Sequence, residues 1–149
     1  MFTYKENSPI NILIADDDPD DRILLKEAFD ENFKLNIDFV ENGEELTDYL
    51  FKRGRYEMKT KLPALILLDL NMPRKDGREA LKEIKATEKL RRIPILIFST
   101  SKSEEDIKAT YDLGVNSFIT KPPTFDELIE VTKTIGKYWF QTALLSPTI

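Results

Sequence analysis

The 149-residue sequence contains no cysteine and no histidine. Without cysteine the chain has no disulfide framework and no thiolate metal site. Without histidine it has no imidazole metal ligand and no histidine-based catalytic triad, and no phosphohistidine can form on it. Its chemistry must therefore depend on carboxylates, hydroxyl groups and lysines.

Long apolar runs and a positive net charge are also missing. No stretch approaches the roughly 18 apolar residues that a membrane-spanning helix needs, and nothing at the N-terminus marks export. Twenty-two basic residues against 27 acidic ones give a net charge of −5, so the overall field repels nucleic acid. We expect a cytoplasmic protein that binds neither membrane nor nucleic acid.

The length of the chain fits one globular domain. Hydrophobic residues make up 41% of the sequence, which suffices for a core. No internal repeat, linker or low-complexity segment divides the chain. We therefore expect a single domain over residues 1–149, with its core at about 10–140 and a C-terminal tail at 141–149.

Short apolar segments alternate with amphipathic segments about five times along the chain, which is typical of strand–helix units around a parallel sheet. The segment 64–68 is apolar throughout, as in a strand covered on both faces. The pattern predicts an α/β fold with a doubly wound, five-stranded parallel sheet. The predicted strands are Ile10–Ala15, Ile37–Val40, Ala64–Leu68, Pro94–Phe98 and Ser117–Thr120.

Capping residues and helical spacing predict the helices. Helix starts are expected at Asp18-Pro19, Asn42-Gly43, Gly77, Ser103 and Thr124, and helix ends at Gly54 and Gly114. The polar segment Arg53–Pro63 is interpreted as a surface insertion without chemistry. The residues of the last helix predicted to face the core are Phe125, Leu128, Ile129, Thr132, Ile135 and Trp139, with Val131 and Tyr138 as a contact surface beside them.

Polar residues follow four of the predicted strands at the point where each strand ends. They are Asp16-Asp17, Asp69, Ser99 and Lys121. The carboxyl ends of the strands line the ligand crevice in open α/β sheets, so these side chains converge if the strands are neighbours. Three carboxylates brought together repel one another, and a hard divalent cation with oxygen ligands relieves that repulsion. Magnesium fits this site best because it also leaves positions for phosphoryl oxygens.

A site of this composition can accept a phosphoryl group. With a divalent cation and Lys121, the three carboxylates sum to a net charge of about zero. A carboxylate is a competent phosphoryl acceptor that forms an aspartyl phosphate. The metal, the lysine and the hydroxyl of Ser99 would neutralise charge on the equatorial oxygens in the transition state.

Four segments together resemble the motif set of receiver domains in two-component signalling, in order and in spacing, over roughly residues 10–140. They are Ile12–Asp21, Leu67–Gly77, Pro94–Ser101 and Asn116–Pro123. The resemblance implies a flavodoxin-like (βα)5 fold with strand order 2-1-3-4-5. The doubled proline Pro122-Pro123 and the insertion at Arg53–Pro63 resemble receivers associated with phytochrome-type sensor kinases.

The resemblance also implies the roles of individual residues. Asp69 matches the phosphoacceptor and Lys121 the phosphate-binding lysine, while Ser99 and Phe118 match the switch hydroxyl and the switch aromatic residue. Asp16, Asp17 and Asp69 match the metal-site acids, and Asn71 matches a metal ligand through its backbone carbonyl. A cis peptide bond is implied at Lys121–Pro122. Asp18, Asp20 and Asp21 are interpreted as helix-capping acids that favour the helix dipole.

These inferences predict a response regulator that receives a phosphoryl group from a histidine kinase or a histidine phosphotransfer protein and signals through protein–protein contacts. A homodimer through the last two helices and the fifth strand is part of this prediction. One alternative is a receiver-like interaction module that takes no phosphate. The other is a magnesium-dependent phosphatase of the haloacid dehalogenase type. That class expects a D-x-D arrangement, whereas Asp69-Leu70-Asn71 lacks the second acid.

Overall fold

The centre of the sheet is formed by strands whose residues are apolar on both faces. The computed structural model describes residues 9–59 and 61–146. Its five strands are parallel and follow the order β2-β1-β3-β4-β5, which confirms the predicted fold class. The strands are β1 (Ile10–Ala15), β2 (Leu35–Val40), β3 (Leu65–Leu68), β4 (Ile95–Ser99) and β5 (Ser117–Thr120).

Five helices alternate with the strands, and each begins at a side chain that caps it. The helices are α1 (Pro19–Asp30), α2 (Gly43–Phe51), α3 (Gly77–Ala86), α4 (Glu104–Leu113) and α5 (Phe125–Gly136). Asp18, Asn42, Asp76, Ser103 and Thr124 each accept a hydrogen bond from a backbone N–H of the first turn. Gly114 ends α4 in the left-handed conformation, as predicted.

The core lies in two layers, one on each face of the sheet. One layer contains the buried residues of α1 and α5, and the other contains those of α2 and α3. A six-residue π-helical segment, Lys137–Thr142, follows α5 and places Phe140 against the rings of Phe29 and Phe33. Phe140 is buried and covers part of this layer of the core. Val131, which was predicted to be a contact residue, instead packs partly against the core, whereas Tyr138 is exposed.

The segment Arg53–Pro63 lies largely at the surface, as predicted, but Tyr56 fixes it to the core. Gly54–Tyr56 forms a 3-10 turn, and Tyr56 is buried with its ring centroid 5.0 Å from that of Tyr49. The Tyr49 hydroxyl donates a hydrogen bond of 2.5 Å to Asp38, whose carboxylate also pairs with Lys59 at 2.8 Å. Residue 60 lies outside the described residues. The described part of this segment therefore packs onto α2 and β2.

Three local predictions were wrong. The Lys121–Pro122 bond is trans, since the described residues contain no cis peptide bond and the ordinary trans preference of an X–Pro step holds here. Helix α2 ends before Gly54, because Lys52 takes the left-handed conformation with φ 58° and stops the helix. Phe125 is exposed, since it is the first residue of α5 and lies at the rim of the fold.

Two further predictions concern the ends of the chain and membranes. The C-terminal tail is described as far as residue 146, and residues 1–8 and 147–149 lie outside the described residues. Within the described ranges, none of the helices combines the length and hydrophobicity that a membrane crossing requires.

Candidate functional site

The functional side chains lie at one edge of the sheet, where four neighbouring strands end. Asp16 directly follows β1, and its N–H donates to the Val40 carbonyl at 3.0 Å. Asp69 directly follows β3, and its N–H donates to the Ala15 carbonyl at 3.0 Å. The Lys121 N–H donates to the Ser99 carbonyl at 2.9 Å, so the ends of β4 and β5 are also aligned. The predicted convergence of these residues is confirmed.

Asp16, Asp17 and Asp69 form an acidic group. Each offers a carboxylate oxygen, and these oxygens all lie within 4.8 Å of one another. Asp16 and Asp69 are buried, with 1% and 7% of their surface exposed, whereas Asp17 is exposed. Burial of carboxylates is costly unless they are paired or coordinate a cation. The donor set contains only oxygen, which suits a hard divalent cation.

The Lys121 ammonium is surrounded by carboxylates on three sides. It donates hydrogen bonds of 2.8 Å to Asp16, 2.8 Å to Asp21 and 2.9 Å to Asp69. Since an ammonium group has three N–H donors, these contacts use its full donor capacity. The lysine therefore joins the strand ends of β1, β3 and β5 with the first turn of α1.

The cluster of four carboxylates and one ammonium has excess negative charge, about −3 with ordinary protonation states. Burial raises the pKa of Asp16 and outweighs the opposing hydrogen bonds from Lys121 and from the Asp18 N–H. Burial alone would lower the pKa of Lys121, but its hydrogen bonds to Asp16, Asp21 and Asp69 raise it above the ordinary value. The raised pKa of Lys121 keeps its ammonium charged, and the remaining negative charge of the cluster is what suits it to a cation.

Backbone donors fix the orientation of the two buried carboxylates. Asp16 Oδ1 accepts the N–H of Asp18 at 2.9 Å, and Asp69 Oδ1 accepts the N–H of Asn71 at 3.0 Å. The loop after Asp69 returns to Gly77, whose N–H donates to the Leu70 carbonyl at 3.1 Å. A Cβ atom at Gly77 would lie 2.6 Å from the Asp69 carbonyl oxygen. This close approach requires glycine at the start of α3.

Ser99 is fully buried at the end of β4. Its Oγ accepts hydrogen bonds from the Ser101 N–H at 3.3 Å and from Asn71 Nδ2 at 3.5 Å. Because both contacts use the oxygen as acceptor, the hydroxyl proton remains to be donated. Phe118 lies on β5, half-buried, and packs against the core layer that contains α2 and α3.

The response regulator receiver domain family matches this chain over residues 12–133. The chain belongs to the response regulator receiver family. Response regulator Rcp1 of Synechocystis is 36% identical to this receiver over 142 residues, which cover 95% of this chain and 96% of Rcp1. FilR2 of Methanothrix harundinacea, a probable methanogenesis regulatory protein, is 36% identical over 132 residues, which cover 88% of this chain and 84% of FilR2.

Solved structures agree with this assignment. The phosphorylated cyanobacterial phytochrome response regulator RcpA superposes on the receiver with a TM-score of 0.87 and 40% identity, covering 93% of this chain and 99% of RcpA. The Mn²⁺-bound form of Rcp1 superposes with a TM-score of 0.86 and 36% identity, covering 93% and 99% of the two chains. Members of this family act as signalling switches in two-component systems.

Asp21 was wrongly interpreted as serving only the helix dipole. Its carboxylate lies 2.8 Å from Lys121, a residue 100 positions away in the sequence. A signal for this contact was present, because α1 begins just after the end of β1 and its first turn therefore lies over the same edge of the sheet. Asp18 and Asp20 show no such contact with Lys121, and Asp18 caps α1 as predicted.

A second set of polar contacts in the receiver was also missed by sequence reasoning. Arg78 at the start of α3 makes two hydrogen bonds to Asp106 on α4, of 3.0 and 2.9 Å. The Ser101 hydroxyl donates to the same carboxylate at 2.8 Å. These residues connect the loop after Ser99 with two helices, and no local sequence pattern identifies an ion pair between separate helices.

Proposed function

We propose that this receiver accepts a phosphoryl group on Asp69 from the phosphohistidine of a histidine kinase or a histidine phosphotransfer protein. The observation that supports this proposal is the placement of the Asp69 carboxylate between Lys121 and the other two acids of the acidic group. In the transfer, a carboxylate oxygen of Asp69 forms a bond to phosphorus as the phosphorus–nitrogen bond breaks. The donor histidine leaves with its electron pair, and Lys121 counters the charge on the phosphoryl oxygens.

The acidic group fits a magnesium ion. Asp16, Asp17 and Asp69, together with the backbone carbonyl of Asn71, would hold the ion. When bound, Mg²⁺ would offset the carboxylate charge and that of the incoming phosphoryl oxygens. The excess negative charge of the described cluster supports this part of the proposal, because Lys121 alone compensates only part of the charge that would repel a phosphoryl group.

Ser99 and Phe118 would convert phosphorylation into a change of surface. The Ser99 hydroxyl has a proton to donate, so it can move to a phosphoryl oxygen. That movement would give up its contacts with Ser101 and Asn71. Phe118 could then occupy the space that Ser99 vacates. A larger fraction of the receiver molecules would adopt a second arrangement of α4, β5 and α5. Hydrolysis by a water near Asn71 and Ser101 would reset the switch.

The donor we propose is a phytochrome-type histidine kinase. Two similar structures support this choice, since one is the phytochrome response regulator RcpA and another, RPA3017 of R. palustris, acts in red light signalling. The exchange would take place in the cytoplasm, where kinases use ATP, with residues 1–149 acting as a single receiver domain. The proposed output is contact with another protein or with a second copy of this chain.

Association of two copies through α4, β5 and α5 is the form of self-contact we propose. Strand β5 is at an edge of the sheet, and Tyr111 and Tyr138 are exposed on the flanking helix and on the segment that follows α5. Light scattering before and after phosphorylation tests this proposal. A constant monomer mass in both states would contradict it.

The central test is intact-mass analysis after incubation with acetyl phosphate, with and without Mg²⁺. Wild type should gain one phosphoryl group only when Mg²⁺ is present, and Asp69→Asn should gain none. Asp20→Asn is the matched control, because it makes the same acid-to-amide change outside the cluster, and it should still be labelled. A folded wild type without any adduct would instead favour the phosphate-independent interaction module.

A further inference from the structure

The donor capacity of Lys121 limits how it can bind phosphate. Its three N–H groups already donate to Asp16, Asp21 and Asp69 at 2.8, 2.8 and 2.9 Å. If the proposed function holds, the same ammonium must also donate to a phosphoryl oxygen. One of the three carboxylates must therefore give up its contact with Lys121 when the site is phosphorylated.

The three carboxylates differ in how easily they can leave. Asp16 is buried, accepts a second hydrogen bond from the Asp18 N–H and belongs to the acidic group. Asp69 carries the phosphoryl group itself, so its own phosphoryl oxygens can take over its contact with Lys121, and any further phosphoryl contact must displace Asp16 or Asp21. The Asp21 side chain is 36% exposed, and within the described residues its only hydrogen bond is the one from Lys121. Water can replace that single contact, because exposed ion pairs contribute little free energy.

We infer that Asp21 is a positioning residue. In the resting state its carboxylate accepts one of the three hydrogen bonds of the Lys121 ammonium, and a phosphoryl oxygen takes its place when the site is phosphorylated. This inference rests on the proposed function and adds a residue to it. Asp21 keeps the ammonium over the phosphoacceptor in the resting state. It also competes with the phosphoryl group and adds negative charge beside it.

The inference predicts that removal of the Asp21 charge strengthens anion binding. Beryllofluoride, which replaces a phosphoryl group on a carboxylate, serves as the probe at saturating Mg²⁺. Its half-saturating concentration should fall by about two- to fivefold in Asp21→Asn and in Asp21→Ala, as expected for loss of one partly exposed competing ion pair. The readout is ¹⁹F NMR of bound beryllofluoride, with thermal unfolding to confirm that each variant is folded.

Asp20→Asn is the matched control, since it removes the same charge from the same first turn of α1 without touching Lys121. Its beryllofluoride affinity should equal that of the wild type. Structural damage would weaken binding, so tighter binding in the Asp21 variants separates a positioning role from a structural one. Equal or weaker binding in the Asp21 variants, with a wild type that does bind, overturns this inference alone. A folded wild type that binds no beryllofluoride overturns the proposed function as well.

Discussion

The guanidinium of Arg78 and the carboxylate of Asp106 join α3 to α4 through two hydrogen bonds, of 3.0 and 2.9 Å. The same carboxylate accepts the Ser101 hydroxyl at 2.8 Å, and the Ser101 N–H donates to Ser99 Oγ. A continuous set of contacts therefore runs from the proposed switch hydroxyl to two helices. Any movement of Ser99 toward Asp69 must alter the first contact of this set.

The Arg78–Asp106 pair should contribute measurably to stability. A double-mutant cycle with Arg78→Ala and Asp106→Ala should give a coupling free energy of about 1 kcal/mol, because both hydrogen bonds are charge-assisted and the pair is only partly exposed. Urea unfolding measures this quantity. The Lys108–Asp112 pair on α4 is well exposed and serves as the control, with an expected coupling of about 0.3 kcal/mol. Equal coupling for both pairs would contradict this prediction.

Asp106 should make stability depend on pH. The hydrogen bond from Arg78, followed by that from Ser101, lowers the pKa of Asp106 in the folded state. The carboxylate binds a proton less readily in the folded state than in the unfolded state. The contribution of Asp106 to the free energy of unfolding is therefore complete above the ordinary pKa of 3.8, and it is lost as the pH falls through the lowered pKa of the folded state. The difference in unfolding free energy between wild type and Asp106→Asn should therefore become smaller as the pH is lowered. Urea titrations from about pH 6 to pH 3 measure it.

An Arg78→Ala background provides the control for this pH dependence. Without the guanidinium, the main cause of the lowered pKa of Asp106 is absent, so replacing Asp106 by Asn should change the pH dependence much less. If the two backgrounds show the same pH dependence, Arg78 is not the group that lowers the pKa of Asp106.

The sequence was sufficient to predict the features that depend on local chemistry. The apolar run before Asp69 predicted a central strand, and Asp18, Ser103 and Thr124 predicted where helices begin, because strand burial and helix capping are visible in neighbouring residues. The parallel topology then placed Lys121 at the same edge as Asp69. General rules placed these residues at the ends of their strands, and the resemblance to receiver domains supplied the strand order that makes those strands neighbours.

Contacts between particular side chains on separate elements were not predicted, even where the sequence indicated that two elements lie at the same edge of the sheet. The pairing of Asp21 with Lys121 depends on where α1 lies relative to β5, and the packing of Tyr56 depends on a ring that α2 supplies. Acids at a helix start and polar residues in a long connection also have simpler explanations, which sequence reasoning favours. Both contacts were missed for this physical reason.

Lys121 should be essential for stability in the absence of a divalent cation. Lys121→Met leaves Asp16 and Asp69 buried without their positive partner, and we expect a loss of about 3 kcal/mol in unfolding free energy. Added Mg²⁺ should restore more stability to this variant than to wild type, since the cation then replaces the missing charge. Lys108→Met, on the exposed face of α4, is the control and should change little. An equal response of wild type and Lys121→Met to Mg²⁺ would count against the proposed metal site.

Tyr56 should hold the segment 53–63 in place. Tyr56→Ala removes a ring that packs at 5.0 Å from Tyr49, and we expect a loss of about 3 kcal/mol in unfolding free energy. Met58→Ala lies in the same segment with 87% of Met58 exposed, so it should leave stability nearly unchanged. Chemical denaturation of both variants tests the contrast. Similar small effects for the two variants would show that Tyr56 does not hold the segment in place.

Because Gly77 has no side chain, the start of α3 can lie directly against the backbone of Asp69. The first residue of α3 lies against the carbonyl of Asp69 with no room for even a methyl group between them. The backbone of Asp69, the proposed phosphoacceptor, and the start of α3 therefore form one rigid contact, since interiors packed this closely deform little. Arg78, the next residue, is anchored to this contact, so in the proposed switch α3 would be the fixed element and α4 the one that is displaced.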